Sequence, residues 1–338
     1  MRAAVLHNVR DIRLADMPRP VPQDGDVLVQ VKAVGVCGSD IHSYVEGSTT
    51  GPTKVTPYVL GHELAGVIPP ESAKLSCLPA GTLVAVDPAR PCLQCEWCHR
   101  GHTNLCPHVR FLGYAPTDGA LAEFVSVAPS ALHPVPRELE PADAAILETL
   151  GVAIHAIDLA RIRFMETVAV LGCGAVGLLL VQLARLSGAG TIVAVDPLAY
   201  RTKLAMEFGA NVACKDYSEV ATATDGRRAD LVLEATDSAL GFDHAVRSSR
   251  IGGRLVLVGI PDGNEYILSA AEARRRGLSI KFSRRMPEVY PRAIALAASR
   301  RVNLRPLATH RFTLEDTKKA FEMQMERKDG IIKAIIYP

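Results

Sequence analysis

Residues 168–186 place the strongest constraint on the fold. Val168–Leu171 is a short, β-branched apolar run. Gly172-Cys173-Gly174-Ala175-Val176-Gly177 follows at once, and Leu178–Leu186 continues with a helical pattern. A strand that breaks at G-x-G-x-x-G and restarts as a helix is the opening of a βαβ unit. The first glycine permits the tight turn, the second lets a pyrophosphate approach the backbone, and the third lets helix pack on strand. The helix N-terminus then stabilises the phosphates. Asp196 follows the next strand-like run, Ile192–Val195, 24 residues beyond Gly172. A carboxylate there hydrogen-bonds ribose hydroxyls and repels a 2′-phosphate, which favours NAD over NADP. Arg201 pulls the other way, because an arginine accepts a 2′-phosphate. The expected cofactor set is Gly172, Gly174, Ala175, Val176, Gly177, Asp196, Arg201 and Val258. The plainer alternative is a tightly packed βαβ unit with no ligand. Thr167–Ala184 is uncharged over 18 residues, about the length at which a membrane span becomes a candidate. Three glycines within it, Gly172, Gly174 and Gly177, make it a buried strand feeding a helix instead.

The same alternation runs on from about Leu150. Strand-like runs at Ile192–Val195, Leu231–Leu233, Leu255–Val258 and Leu278–Phe282 alternate with helices beginning near Ala175, Tyr200 and Leu240. This pattern predicts a parallel sheet covered by helices. The first third differs. Ala3–Leu6, Val27–Val36, Ala65–Ile68, Leu83–Val86 and Glu123–Val127 are short β-rich runs between Pro and Gly clusters, and most of the 22 prolines fall there. The tail offers helices at Pro291–Ser299 and Leu314–Met325 and a last strand at Ile331–Ile336. The expected fold class is therefore α/β, a β-rich domain beside a doubly wound parallel sheet.

Four of the eight cysteines, Cys92, Cys95, Cys98 and Cys106, are spaced C-x2-C-x2-C-x7-C. Four thiolates on one loop close a tetrahedral zinc and leave no open position, which is a structural site. An iron–sulfur cluster or free thiols are the alternatives. His99 and His102 lie in the loop but are superfluous to a four-sulfur set. A second constellation joins Cys37-Gly38-Ser39-Asp40-Ile41-His42 to Gly61-His62-Glu63. Cys, His and Glu are zinc ligands, and three of them with one open position make a catalytic site. Taken singly, each has a bland reading: a satisfied core histidine, a small buried hydrophobe.

Together these motifs resemble the zinc-dependent medium-chain dehydrogenase/reductases, over essentially the whole chain and in order. The nearest resemblance is to the polyol branch, the sorbitol (L-iditol) and xylitol dehydrogenases. It rests on Leu147-Glu148-Thr149-Leu150-Gly151-Val152-Ala153-Ile154-His155, on Leu307–Phe312 and on Ala320-Phe321-Glu322. The resemblance implies a GroES-like catalytic domain over residues 1–150 and 287–338, with a Rossmann domain inserted at 151–286. It implies two zincs per chain, one structural and one catalytic. Cys37 and His62 bind the catalytic zinc directly. Glu63 binds it or sits just behind it, and Glu148 binds it or holds a zinc-bound water. Ser39 and His42 carry the alcohol proton outward, Asp40 orients its neighbours, and Ser39, Glu148 and Arg285 meet the substrate. The implied reaction moves hydride from a secondary hydroxyl of a polyol, cyclitol or sugar to NAD. A threonine or simple secondary-alcohol dehydrogenase of the same family is the second reading, and a non-catalytic zinc- and NAD-binding protein the third. Thr149 departs from the branch, which has proline after the glutamate.

Composition narrows the partners. Lys plus Arg number 38 against 36 Asp plus Glu, a net charge of +2, and aromatics are 5% with one Trp. Neither a polyanion-coating surface nor a stacking platform for single strands fits these values. The arginines at 274, 275, 276, 284 and 285 read as solvated charges or a subunit contact, Arg285 excepted. The expected partners are a small-molecule alcohol and a second copy of the chain, as homodimer or homotetramer, with no nucleic acid and no membrane. No cysteine is needed for a disulfide, so the expected compartment is the cytoplasm.

Overall fold

The run of alternating elements after residue 150 builds a six-stranded sheet whose neighbours are all parallel. Its spatial order is Val212–Cys214, Thr191–Val195, Thr167–Leu171, Ala229–Glu234, Ser249–Leu257 and Ser279–Phe282. The first strand in sequence, Thr167–Leu171, is central, and the order reverses there, as in dinucleotide-binding sheets. The inner strands are apolar on both faces because helices cover both. Ala169, Leu171, Val193, Val195, Val232, Leu255 and Leu257 pack with Phe242, Ala245 and Val246 of the helix Gly241–Ser248. The edge strand Ser279–Phe282 is largely exposed.

This computed structural model describes residues 1–23 and 25–338. The chain divides into two units, Met1–Thr149 with Pro287–Pro338, and Leu150–Met286. In the first unit, seven short strands form one sheet centred on Val27–Gly35. That strand pairs antiparallel with Glu63–Val67, Phe124–Val127 and the last strand, Ala334–Tyr337. A smaller sheet joins Arg2–Asn8 to Asp11–Asp16 and Tyr58–Val59. Buried apolar side chains from both sheets, the segment before Phe124 and the helix Thr317–Glu326 make one core, which includes Leu6, Val29, Val34, Leu64, Leu121, Phe321 and Ile336.

Two of the longer helices, Gly38–Glu46 and Pro141–Ala160, have no counterpart in the sequence reading. The first opens on Gly38-Ser39-Asp40, residues that read equally as a turn. The second is buried almost all round between Ala142 and Ala156, so no apolar face stands out against a polar one. Among the described residues, no helix is long and apolar enough to cross a membrane.

Candidate active site and metal centres

The cysteine loop folds back on itself around the short helix Glu96–His99. The ligand atoms of Cys92, Cys95, Cys98 and Cys106 all lie within 4.8 Å of one another. Cys95 Sγ is 3.5 Å from Cys98 Sγ and 3.9 Å from Cys106 Sγ. A tetrahedral zinc with bonds near 2.3 Å spaces its sulfurs by about 3.8 Å, so the set fits that ion. The Cys92 N–H points at Cys106 Sγ at 3.4 Å, the type of backbone bond that stabilises a thiolate. The thiols also titrate unequally. Backbone N–H groups, that of Gln94 first, pull Cys92 below the usual thiol range, while burial pushes Cys98 above it. Four sulfurs this close cannot all carry charge unless a cation joins them. His99 and His102 are exposed, outside the sulfur set.

Strand register brings the second constellation together. Gly35 at the end of one central strand sits opposite Glu63 at the start of its neighbour. The chain turns after Gly35, and Cys37 caps the helix Gly38–Glu46. Asp40, in the first turn, braces both segments. Its Oδ2 accepts from the Cys37 N–H at 3.0 Å and its Oδ1 from the Gly61 N–H at 3.3 Å. Asp40 Oδ1 also lies 3.3 Å from His62 Nδ1, which still lacks a hydrogen bond of proper geometry although it is buried. Burial works against a charge on His62, but Asp40 and the Cys37 sulfur more than offset it and raise its pKa well above the usual value. The imidazole is thus built into a site that favours positive charge, whether a proton or a metal.

Glu148 comes from the helix Pro141–Ala160 and is buried. Burial pushes its carboxyl above the usual range, His62 pulls it down, and Glu63 pushes it up again. Glu63 is placed differently. Both of its oxygens accept from Lys333 Nζ, at 2.7 and 2.6 Å, and Lys333 also reaches the Val36 carbonyl at 3.2 Å. Gly35 makes room for this, since a Cβ there would lie 2.1 Å from Glu63 Oε2. The half-buried Cys37 thiol and the buried His62 and Glu148 side chains are donor types that zinc takes. Their ligand atoms are spaced more widely than those of the cysteine lobe, which among the described residues is the one such group within mutual 4.8 Å reach.

Ser39 and His42 stand one turn apart on the helix after Cys37, both buried. The sequence reading passed over two aromatic neighbours, Phe111 and Tyr114. Their rings lie 5.3 and 5.9 Å from the His62 ring and 5.0 Å from each other. Burial pushes the Tyr114 hydroxyl up, and a bond with Ser39 pulls it partly back. It also passed over Lys333, whose partner is 270 residues away.

In the second unit each glycine of the loop has a different neighbour. Gly172 has φ of +86°, and a Cβ there would meet Ala235 O at 2.6 Å. A Cβ on Gly177 would lie 1.8 Å from Gly172 O. Gly174 meets nothing nearer than Arg201 Nη1 at 4.0 Å, so the space above it is left open. It caps the helix Ala175–Leu186, whose first amides face that space unpaired within the helix. Asp196 Oδ2 accepts from the Cys173 N–H at 2.8 Å and Oδ1 from the Leu198 N–H at 2.9 Å. Arg201 Nη1 lies 3.5 Å from Asp196, and Arg201 Nε is buried without a partner. These features fit a dinucleotide. Val258 is half-buried just past Leu257, its N–H bonded to Glu234 O at 2.8 Å. Arg285 is half-buried, with φ of 52°.

Residues 23–137 match the alcohol dehydrogenase GroES-like domain, and residues 175–299 match the zinc-binding dehydrogenase domain. A sorbitol dehydrogenase of Bacillus subtilis (strain 168) is 35% identical over 343 residues, covering 100% of this chain and 97% of that protein. Among solved structures, an oxidoreductase/dehydrogenase of unknown specificity from Escherichia coli superimposes with a TM-score of 0.91 at 28% identity. It covers 99% of this chain and 98% of its own. A structure described as a zinc-binding dehydrogenase, from Sinorhizobium meliloti 1021 and bound to NADP, gives 0.88 at 30% identity, covering 100% and 99%.

Proposed function

The chain belongs to the zinc-binding dehydrogenases with an alcohol dehydrogenase GroES-like domain, and from that premise we propose that it oxidises a secondary hydroxyl of a polyol, cyclitol or sugar to a ketone, passing the hydride to NAD. The reading rests on one observation above the others: the half-buried Cys37 thiol with the buried His62 imidazole and Glu148 carboxyl, and Asp40 bracing two of the three segments. A zinc on those three groups supplies Lewis-acid polarisation of the substrate oxygen, and the dinucleotide supplies the hydride acceptor.

The rest falls to this chain's own side chains. Asp40 fixes Cys37 and the Gly61 turn, so the two ligand-bearing segments keep their spacing. Ser39 takes the hydroxyl proton and His42 passes it outward, a hydroxyl–imidazole relay. Phe111 and Tyr114 wall off one side of His62 and keep water from it. Glu63 stays on Lys333, which supports a place behind the metal rather than on it. In the second unit the Ala175, Val176 and Gly177 amides receive the pyrophosphate, and Asp196 receives the adenosine ribose. Arg285 contributes hydrogen bonds to substrate hydroxyls.

NAD is the preferred cofactor because the Asp196 carboxylate repels a 2′-phosphate. Arg201, with its unpartnered Nε, favours some tolerance of NADP. The holoenzyme carries two zincs per chain and works as a homodimer or homotetramer. None of its eight cysteines is joined in a disulfide, which suits the cytoplasm. A screen of polyols, cyclitols, sugars, threonine and simple secondary alcohols, followed by NADH absorbance, tests the substrate class. Polyols should give the highest kcat/KM. Turnover confined to threonine or to simple alcohols would replace the polyol assignment. Cys37→Ser should abolish turnover and leave NADH binding unchanged, and a fully active variant would end the zinc mechanism.

A further inference from the structure

Five of the arginines that the dehydrogenase reading leaves without a role gather in one place. The unit Leu150–Met286 holds 17 Lys and Arg against 14 Asp and Glu, a net charge of +3, whereas the whole chain carries +2. Arg227, Arg228, Arg250, Arg275 and Arg276 line a single open groove of about 520 Å³, with Glu272 its one acidic wall residue. Three consecutive strands bring them together. Arg227 and Arg228 immediately precede Ala229–Glu234, Arg250 is the second residue of Ser249–Leu257, and Arg275 and Arg276 end the helix before Ser279–Phe282. These are the amino ends of the strands. The glycine loop follows the carboxyl end of Thr167–Leu171, so the groove lies at the opposite end of the same sheet from the dinucleotide site.

Internal structure accounts for only part of this charge. Asp230 pairs with Arg227 at 3.0 Å and with Arg250 at 2.5 Å. Arg276 donates to the Ser249 carbonyl at 2.9 Å and to Glu272 at 3.1 Å, and its Nε is buried without a partner. Arg228 and Arg275 pair with no described side chain. Five guanidiniums against two carboxylates leave a surplus of three positive charges on one concave surface. Guanidiniums bind phosphoryl oxygens through paired N–H donors, and several of them together hold an anion that a single exposed pair would lose to salt screening. We propose that this groove binds a chain of phosphoryl groups, as carried by inorganic polyphosphate or by a nucleoside triphosphate, at a site separate from the dinucleotide site.

The probe is inorganic tripolyphosphate, titrated into the full-length holoenzyme with NADH saturating so that the dinucleotide site is filled. Tripolyphosphate should bind at least tenfold more tightly than sulfate at matched ionic strength. R228A/R275A should weaken it at least tenfold with NADH affinity and Tm unchanged, and R228K/R275K should fall between. Unaltered binding in the double alanine variant, affinity no better than sulfate, or loss of binding when NADH is present would each overturn the proposal. Should the alanine variant melt early, R275E alone, at an exposed position, must still weaken binding. ATP tighter than tripolyphosphate identifies the nucleotide as the source, and equal affinity identifies the bare phosphate chain. A short single-stranded RNA binding more tightly than either would assign the groove to nucleic acid and refute the small-anion reading.

Discussion

Lys333 shows how much can depend on one buried charge. Its ammonium and the Glu63 carboxylate are both almost wholly buried, and the ion pair supplies most of what each loses in leaving water. Burial works against the Lys333 charge, but Glu63 outweighs it and raises the pKa. Removing one partner strands the other, which typically costs about 3–5 kcal/mol. Lys333→Ala should therefore lose about that much in a urea titration, and Glu63→Gln/Lys333→Met should recover most of it. A loss no larger in the single variant than in the double would show that the pair is not what holds these strands. Glu234 is the opposite case, a buried carboxyl in no ion pair among the described residues. Its Oε1 accepts from the Thr236 N–H at 2.8 Å and from the Thr236 hydroxyl, while Oε2 has no partner. Burial pushes its pKa up to about 7. An unfolded glutamate titrates near 4.3, so above that pH the unfolded chain gives up a proton that the folded chain keeps until about pH 7. On this group's account, stability is highest below about pH 4 and falls until about pH 7, by roughly 3 kcal/mol. Glu234→Gln keeps an acceptor for Thr236 and removes the titration. Its stability relative to the parent should rise by about 2–3 kcal/mol between pH 5 and pH 8, and a difference independent of pH would place the carboxyl in a more polar setting than its burial indicates.

At the scale of elements, the glycine loop separates folding from binding. Gly177→Ala would drive a Cβ to 1.8 Å from Gly172 O, so the helix Ala175–Leu186 must lift off the strand Thr167–Leu171. Overpacking of that kind typically costs about 1–3 kcal/mol, and Tm should fall. Gly174→Ala meets nothing nearer than 4.0 Å, so Tm should hold, but the added methyl occupies the space above the first amides. NADH fluorescence titration should then show at least a tenfold loss in affinity. If G174A binds NADH normally, the dinucleotide lies elsewhere. This loop was legible in the sequence because its chemistry is local: strand, three glycines and helix are contiguous. The helix Pro141–Ala160 was not, although it carries Glu148. It is buried on nearly every side, and a helix without a polar face has no period of 3.6 residues to read.

Across the whole molecule, what the sequence disclosed follows the separation between interacting residues. Cys92, Cys95, Cys98 and Cys106 could be grouped by spacing, because one short loop brings them within 4.8 Å. Cys37 and His62 could be named as candidate zinc donors by residue type, but only the resemblance gave them roles, since their meeting depends on the register of Val27–Gly35 against Glu63–Val67. Lys333 could not be found at all, because the last strand must first lie beside Gly35 before its side chain reaches Glu63. The same contrast between a closed local set and an assembled distant one governs metal content. The cysteine lobe needs only its own loop, whereas the Cys37 set needs the assembled sheet. Metal analysis of the purified protein should give about two zincs per chain, in line with one closed and one open site. Cys37→Ser should lower this to about one with Tm nearly unchanged, because the remaining fold does not hang on that sulfur. Cys95→Ser should also give about one, but with faster proteolytic cutting between residues 92 and 106, since structural zinc contributes directly to folding. Mild chelation should empty the assembled site first, so activity should be lost while the lobe still resists the protease. Loss of protease resistance before activity would reverse the assignment of the two sites.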